Sequence, residues 1–243
     1  MKPFAFCLPS GFPACGGCMD GNTFLAVDGR TNAIFRVDEE GKVLSSVETK
    51  EVYSALKEIG EADRTVGFFA NVKGEQRTIR LLNAFPTEIG CIIPRFGEND
   101  FSVGDFSAFA KEKDRSLLLV SSKEAAVFDF DGNKAKTVLT AERNQTFLHA
   151  LVSGTVRVLH FARKEDEYIS VMEFGAEFTG MIPKDIVLKE IVPVGVHDVY
   201  GLFVKQARYS YLLPVYEHGV FVLEDTADFG KVLQNILLSQ AKR

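Results

Sequence analysis

Cys15-Gly16-Gly17-Cys18 is the sharpest chemical feature of the chain. Two thiolates separated by two residues can chelate one metal ion, and a pair of glycines lets a loop curl around it. Cys7 lies just upstream and Cys91 far along the chain. Cys7, Cys15, Cys18 and Cys91 together form a candidate four-thiolate site for Zn²⁺ or an iron–sulfur cluster. The close pair alone is also the pattern of a redox dithiol. Pro9, Gly11 and Pro13 before it, and Asp20-Gly21 after it, predict a loop, not the strand–helix junction of a thioredoxin-like site. Thiols without a ligand are the third possibility. Cys91 taken alone, inside Ile89-Gly90-Cys91-Ile92-Ile93, is expected to be a buried core thiol.

The remaining polar groups do not converge on a reaction. His149, His160, His197 and His218 are scattered. His160 falls in a strand-like run and is expected to pack there. His197-Asp198 is adjacent in sequence, and adjacent strand residues point to opposite faces, so a loop position is expected instead of a catalytic base. His218-Gly219 suits a hairpin turn. No Gly-x-Ser-x-Gly elbow, Walker loop or His-Glu-x-x-His motif occurs. Glu165-Asp166-Glu167 reads as a solvated turn. Tyr200, Tyr209, Tyr211 and Tyr216 divide between core support and an aromatic contact surface.

The elements that must position these groups read as hairpins. Phe24-Leu25-Ala26-Val27, a break at Asp28-Gly29, Ile34-Phe35-Arg36-Val37, a turn at Asp38-Glu39-Glu40-Gly41 and then Val43-Leu44 make the first unit. Further units begin at Val66, Leu117, Val156 and Val199, and a last strand is expected at Val220-Phe221-Val222-Leu223. The starts lie within the spacing of blade-type repeats. Pro94-Arg95-Phe96-Gly97-Glu98-Asn99-Asp100 predicts an inserted loop. Two helices are expected. One runs from a Thr49 cap through Ile59 to a stop at Gly60. The other places Phe229, Val232, Leu233, Ile236 and Leu237 on one face, with Asp225, Thr226 and Asp228 as candidate caps. That face either packs on the sheet or docks a partner.

The chain is 243 residues long, enough for one large domain or two small ones. The expected division is a Cys-containing N-terminal segment at 1–22, a β-repeat domain at 23–225 and a C-terminal helix at 226–243. A net charge of −5 argues against sequence-independent nucleic-acid binding, which needs Lys and Arg to replace counterions on phosphate. No stretch approaches the roughly 20 apolar residues of a membrane span, and the short, Pro-interrupted start is no secretory signal, so a cytoplasmic protein is expected. Phe is abundant at 21 residues while Trp is absent, and the Phe runs suit core filling.

The stretch 25–44, with its Asp-ended strand, Asn32, Ile34-Phe35-Arg36-Val37 and Asp38-Glu39-Glu40-Gly41-Lys42 turn, resembles one repeat of the NHL and related β-propeller families. Residues 115–139 resemble it more weakly through Val127-Phe128-Asp129-Phe130-Asp131-Gly132. The resemblance implies a mainly β fold of antiparallel hairpin repeats, a small irregular propeller, closed by blades that cannot bury an apolar face alone. The helix expected at 49–59 would replace the outer strands of a four-stranded blade and leaves the blade count open. The same stretch also resembles the opening hairpin of the actin/hexokinase-like phosphotransfer fold. In that case Asp28, Gly29, Thr31 and Asn32 match the turn that holds phosphate, although Arg30 replaces its usual small residue.

The sequence therefore points first to a non-enzymatic scaffold or assembly subunit that binds another protein. The alternatives are a metal, iron–sulfur or redox protein using the N-terminal cysteines, and a degenerate nucleotide-binding protein of the actin/hexokinase-like type.

Overall fold

The computed structural model describes residues 2–61, 64–75, 78–93, 110–111, 116–120, 124–140, 147–153, 157–164, 167–172, 177–181, 186–193, 199–217, 220–221 and 229–242. The chain opens with a short strand, β1 (Phe4–Phe6). A four-stranded sheet follows: β2 (Gly16–Asp20), β3 (Thr23–Val27), β4 (Ala33–Val37) and β5 (Val43–Glu48). The second sheet holds β6 (Tyr53–Glu61), β7 (Arg64–Val72), β8 (Ile79–Asn83) and β9 (Glu88–Ile92), with β10 (Ala110–Lys111) added parallel to β6. The third holds β11 (Ser116–Val120), β12 (Glu124–Asp129) and β13 (Lys134–Thr140). The fourth holds β14 (Phe147–Ser153), β15 (Arg157–Lys164), β16 (Glu167–Met172) and β17 (Glu177–Met181). The fifth holds β18 (Ile186–Pro193), β19 (Val199–Gln206) and β20 (Tyr209–Glu217), with β21 (Val220–Phe221) beside β20. A helix, α1 (Phe229–Ala241), ends the chain.

The first strands of the sheets meet one another in a closed circuit. β2 lies against β6, β6 against β10, β10 against β11, β11 against β14, β14 against β18, and β18 returns to β2. The ring is fastened by β1, which pairs antiparallel with β20, so the fifth blade is built from both ends of the described chain. Among the described residues, five sheets standing around a ring, the third with three strands, make a small β-propeller. Residues 1–22, set apart in the sequence reading, supply β1 to the fifth blade and β2 to the first.

Alternation along each strand assigns side chains to the two flanking seams. Met19, Phe24, Ala26, Phe35 and Val37 of blade one pack with Phe4, Phe6, Phe203 and Leu212 of blade five. The intervening Cys18, Leu25, Val27 and Ile34 pack instead with Tyr53, Leu56, Phe68, Ala70 and Leu82 of blade two. Blade two then meets blade three through Ile59, Phe69, Ile79 and Ile92 against Ala126 and Phe128. Buried phenylalanines dominate the seam between blades five and one, each stabilising by about 1.5–3 kcal/mol relative to exposure. The Phe6, Phe24 and Phe203 rings cluster with centroids 5.2–6.4 Å apart.

The helix expected at 49–59 is a strand. Residues 53–61 form β6, and Thr49 caps no helix: its hydroxyl donates to the Glu51 carbonyl at 2.7 Å. Ala55, Leu56, Lys57 and Glu58 are good helix formers, but the ladder to β7 and burial on both faces override that preference. The hairpins at 24, 66, 117, 156 and 199 are present as β3–β4, β7–β8, β11–β12, β15–β16 and β19–β20. The inserted loop at 94–100 and the caps Asp225, Thr226 and Asp228 lie outside the described residues.

α1 buries Phe229, Leu233 and Ile236 and packs against β1. Gln240 completes the contact. Its Oε1 accepts from Ala5 N–H at 3.1 Å, and its Nε2 donates to the Ala5 carbonyl at 3.2 Å and to the Glu40 carbonyl at 2.7 Å. The amide thus stands in for a neighbouring strand and satisfies the outer edge of β1. No described helix is long and apolar enough to cross a membrane.

Candidate functional site

Cys15 and Cys18 reach the same place, the seam between blades one and two. Cys18 is buried in that seam and Cys15 packs against it. They do not sit in a loop: Cys18 lies within β2, and Cys15 immediately precedes it, its N–H donating to the Val27 carbonyl at 2.7 Å. The Cys15 thiol donates to the same carbonyl at 3.3 Å. Gly16 and Gly17 serve close approach, not a curled metal loop. A Cβ on Gly16 would lie 2.8 Å from Ala55 Cα and 2.9 Å from the Ser54 oxygen. A Cβ on Gly17 would collide with the Leu25 carbonyl and the Phe24 ring. Glycine at 16 lets the inner strands of blades one and two touch, and glycine at 17 leaves room for β3 of its own blade.

Cys7 and Cys91 lie elsewhere. The Cys7 thiol donates to the neighbouring Leu8 carbonyl at 3.6 Å. Cys91 is in β9, the outermost strand of blade two, and is exposed; the expected core thiol is a surface thiol. Ile92 next to it is the residue that turns inward. Among the described residues no three His, Cys, Asp or Glu side chains gather as a metal-binding group.

A set of ionisable groups that sequence reading missed surrounds Cys18. Burial first, then Glu58 and Asp20, push the Cys18 thiol well above its ordinary value, against the opposite pull of Lys57 and Arg36. At neutral pH it is a protonated, buried thiol, unlike the depressed thiolate that dithiol exchange requires. Lys57 is 3% exposed on β6, and burial lowers its ammonium to about 7. Its neighbour Glu58 is raised to about 7 by burial and, next, by the Asp20 carboxylate. Asp20 itself is held by Arg36, whose Nη2 donates at 2.7 Å while Nη1 donates to Thr23 Oγ1 at 2.6 Å. Two groups on the innermost strand therefore change charge near neutrality. The only prior sign was a Lys-Glu pair inside a run that burial on both faces makes a strand.

At residues 28–32, Asp28 closes the β3–β4 turn. Its Oδ1 accepts from Arg30 N–H at 2.7 Å, Thr31 N–H at 2.9 Å and the Thr31 hydroxyl at 3.2 Å. Burial pushes the Asp28 carboxyl up, but these bonds and the Ser10 hydroxyl outweigh it and hold the group below its ordinary value. The Arg30 guanidinium stacks 3.3 Å from the Phe12 ring centre. Residues 28–32 form a self-closed hairpin turn of a propeller blade, not the expected phosphate-holding turn. The Arg30 and Thr31 N–H donors are already taken by the Asp28 carboxylate, and propeller blades stand where the phosphotransfer fold requires two α/β lobes.

The outer edge of blade two is unlike its neighbours. Phe85, Ile89 and Ile93 are 83%, 61% and 59% exposed, and Cys91 is exposed among them. The backbone at Phe85 is held firmly. Asn83 Oδ1 accepts from Phe85 N–H at 2.9 Å and Thr87 N–H at 3.0 Å, and the Thr87 hydroxyl donates to the Phe85 carbonyl at 2.9 Å. The register shifts between Leu81 and Leu82, leaving Ile89 without a partner on β8. Arg80, opposite Cys91, bonds Glu51 at 2.9 Å and Glu75 at 3.2 Å, and Glu88 adds to the field that raises its guanidinium. Three carboxylates therefore surround one guanidinium beside the apolar edge.

No protein family model and no curated protein matches the sequence. Solved structures do match in fold. Virginiamycin B lyase from Staphylococcus aureus aligns over 88% of this chain and 99% of its own, at 8% identity and a TM-score of 0.51. Glutaminyl cyclase from Myxococcus xanthus aligns over 88% of this chain and 96% of its own, at 9% identity and a TM-score of 0.55. Both are β-propeller proteins. The chain shares their architecture, and at this identity the likeness is one of fold alone.

Proposed function

We propose that this protein is a non-enzymatic binding platform, an assembly subunit that holds another protein against a rigid propeller. The observation that carries this reading is the outer edge of blade two. Large apolar side chains stand in water there, on a strand and a tightly bonded turn. Exposed apolar groups on a strand edge carry an aggregation cost, and a bound partner relieves it. The interior supports the same reading. The buried thiol Cys18 is protonated, and on β6 the Lys57 side chain is buried and that of Glu58 half-buried. Protein binding is also what a ring of blades offers mechanically, since its rim is held by every neighbouring seam.

Isolation of the tagged chain from its native cells, followed by light scattering, tests the proposal. A complex heavier than the 26.9 kDa chain, of fixed composition, is expected. Recovery as a lone monomer that turns over a substrate would overturn it.

A further inference from the structure

Three edges among the described residues are managed in different ways. β1 is covered by α1, and Gln240 occupies the Ala5 N–H and carbonyl as a strand would. β5 presents Ser45, Ser46 and Glu48 to solvent, polar residues that discourage pairing, beside Leu44 and Val47. β9 presents Ile89 and Cys91, with Phe85 at the turn before it and Ile93 just after it, and no described strand pairs with its outer side. Among these three edges, only β9 combines an apolar surface with an exposed aromatic side chain on a turn whose backbone is fixed.

From this we infer that β9 and the Asn83–Thr87 turn form a docking edge for an extended segment of another protein, with basic residues alternating with apolar ones. This rests on the platform reading and names its partner's chemistry. The apolar positions of such a segment would meet Phe85, Ile89 and Ile93. Its Lys or Arg would meet Glu51, Glu75 and Glu88, three carboxylates that share the single Arg80 guanidinium. An acidic segment would be repelled there, so charge selects the partner as well as attracting it. The strand supplies backbone donors and acceptors, and the anchors supply specificity, as in strand addition generally. A second copy of this chain fits less well, because it would bring the same carboxylates face to face.

The probe is a synthetic peptide, acetyl-Lys-Val-Arg-Ile-Lys-Val-Arg-amide, titrated into isotopically labelled full-length protein. Amide shifts confined to residues 83–93 and to the neighbourhood of Glu51, Glu75 and Arg80 are expected. Binding should weaken at least tenfold in Ile89→Asp/Ile93→Asp, and severalfold between low and high salt. Both substituted side chains are mostly exposed, so the variant keeps its fold, which its spectrum reports directly. Leu44→Asp on β5 should bind as the parent does. The acidic counterpart with Glu at each basic position should not bind. Shifts elsewhere, equal binding of the acidic peptide, or indifference to Ile89→Asp/Ile93→Asp would overturn the inference. So would slow hydrogen exchange, in the free protein, at those β9 amides that do not bond β8, since the chain itself would then cover the edge, or a dimer that Ile89→Asp dissolves. If any of these occurs while native cells still yield a stable complex, the docking edge is wrong and the platform reading stands. A lone monomer from native cells removes both.

Discussion

Replacing Glu58 with glutamine is expected to stabilise the protein, and only above acidic pH. The Glu58 carboxyl moves from 4.5 in the unfolded chain to about 7 in the fold, through burial and then the repulsion of Asp20. Between those values the folded protein holds a proton that the unfolded chain has released, so stability falls as pH rises across that window and stays low above it. At about 1.4 kcal/mol per pH unit the cost reaches a ceiling of about 3 kcal/mol. The side chain is only half-buried and solvent screens part of this, so a gain of about 1–2 kcal/mol is expected at pH 8. Glutamine has the same shape and nothing to titrate. Urea denaturation of parent and Glu58→Gln at pH 4, 6 and 8 measures the gain directly. It should be near zero at pH 4, intermediate at pH 6 and full at pH 8. A gain equal at all three, or a loss at pH 8, would refute the view that Glu58 is a charged group held against its preference in the blade one–blade two seam.

Other positions make separate tests. Gly41 has φ +84, and a Cβ there would strike the Ala5 carbonyl; Gly41→Ala should cost about 1–3 kcal/mol by thermal denaturation. Gln240→Ala removes three bonds to backbone and should cost about 1–2 kcal/mol while accelerating hydrogen exchange at the Ala5 amide. Ala207 takes a φ of +50 in the tight β19–β20 turn, where glycine is at ease, so Ala207→Gly should raise stability by about 1 kcal/mol. Thiol titration of the native protein should find Cys91 reacting quickly and Cys18 only on unfolding, since one is exposed and the other buried and protonated.

The middle strands of the blades were legible because their composition is local. Ile34-Phe35-Arg36-Val37 followed by Asp38-Glu39-Glu40-Gly41 says hairpin without any tertiary help, and the Asp38 carboxylate indeed binds the Glu40 and Lys42 amides. The inner strands were not. β2 begins Gly-Gly-Cys and β6 contains Ala-Leu-Lys-Glu, because the crowded ring asks for small residues and long-range pairing, not for strand-like composition. Of the candidate site, the spacing of Cys15 and Cys18 was visible, but not that a strand and a seam hold them apart from Cys7 and Cys91. Ile89-Gly90-Cys91-Ile92-Ile93 reads identically for a core strand and an edge strand. Only the position of β9 as the last strand of its sheet, with Ile92 inward, separates the two.

The most direct measurement is a hydrogen-exchange footprint of the complex isolated from native cells, compared with the free chain. Partner binding should slow exchange across residues 83–93 and leave β5 unchanged. Protection centred on the inner strands, or none at all on β9, would contradict a platform that works through the rim of its second blade.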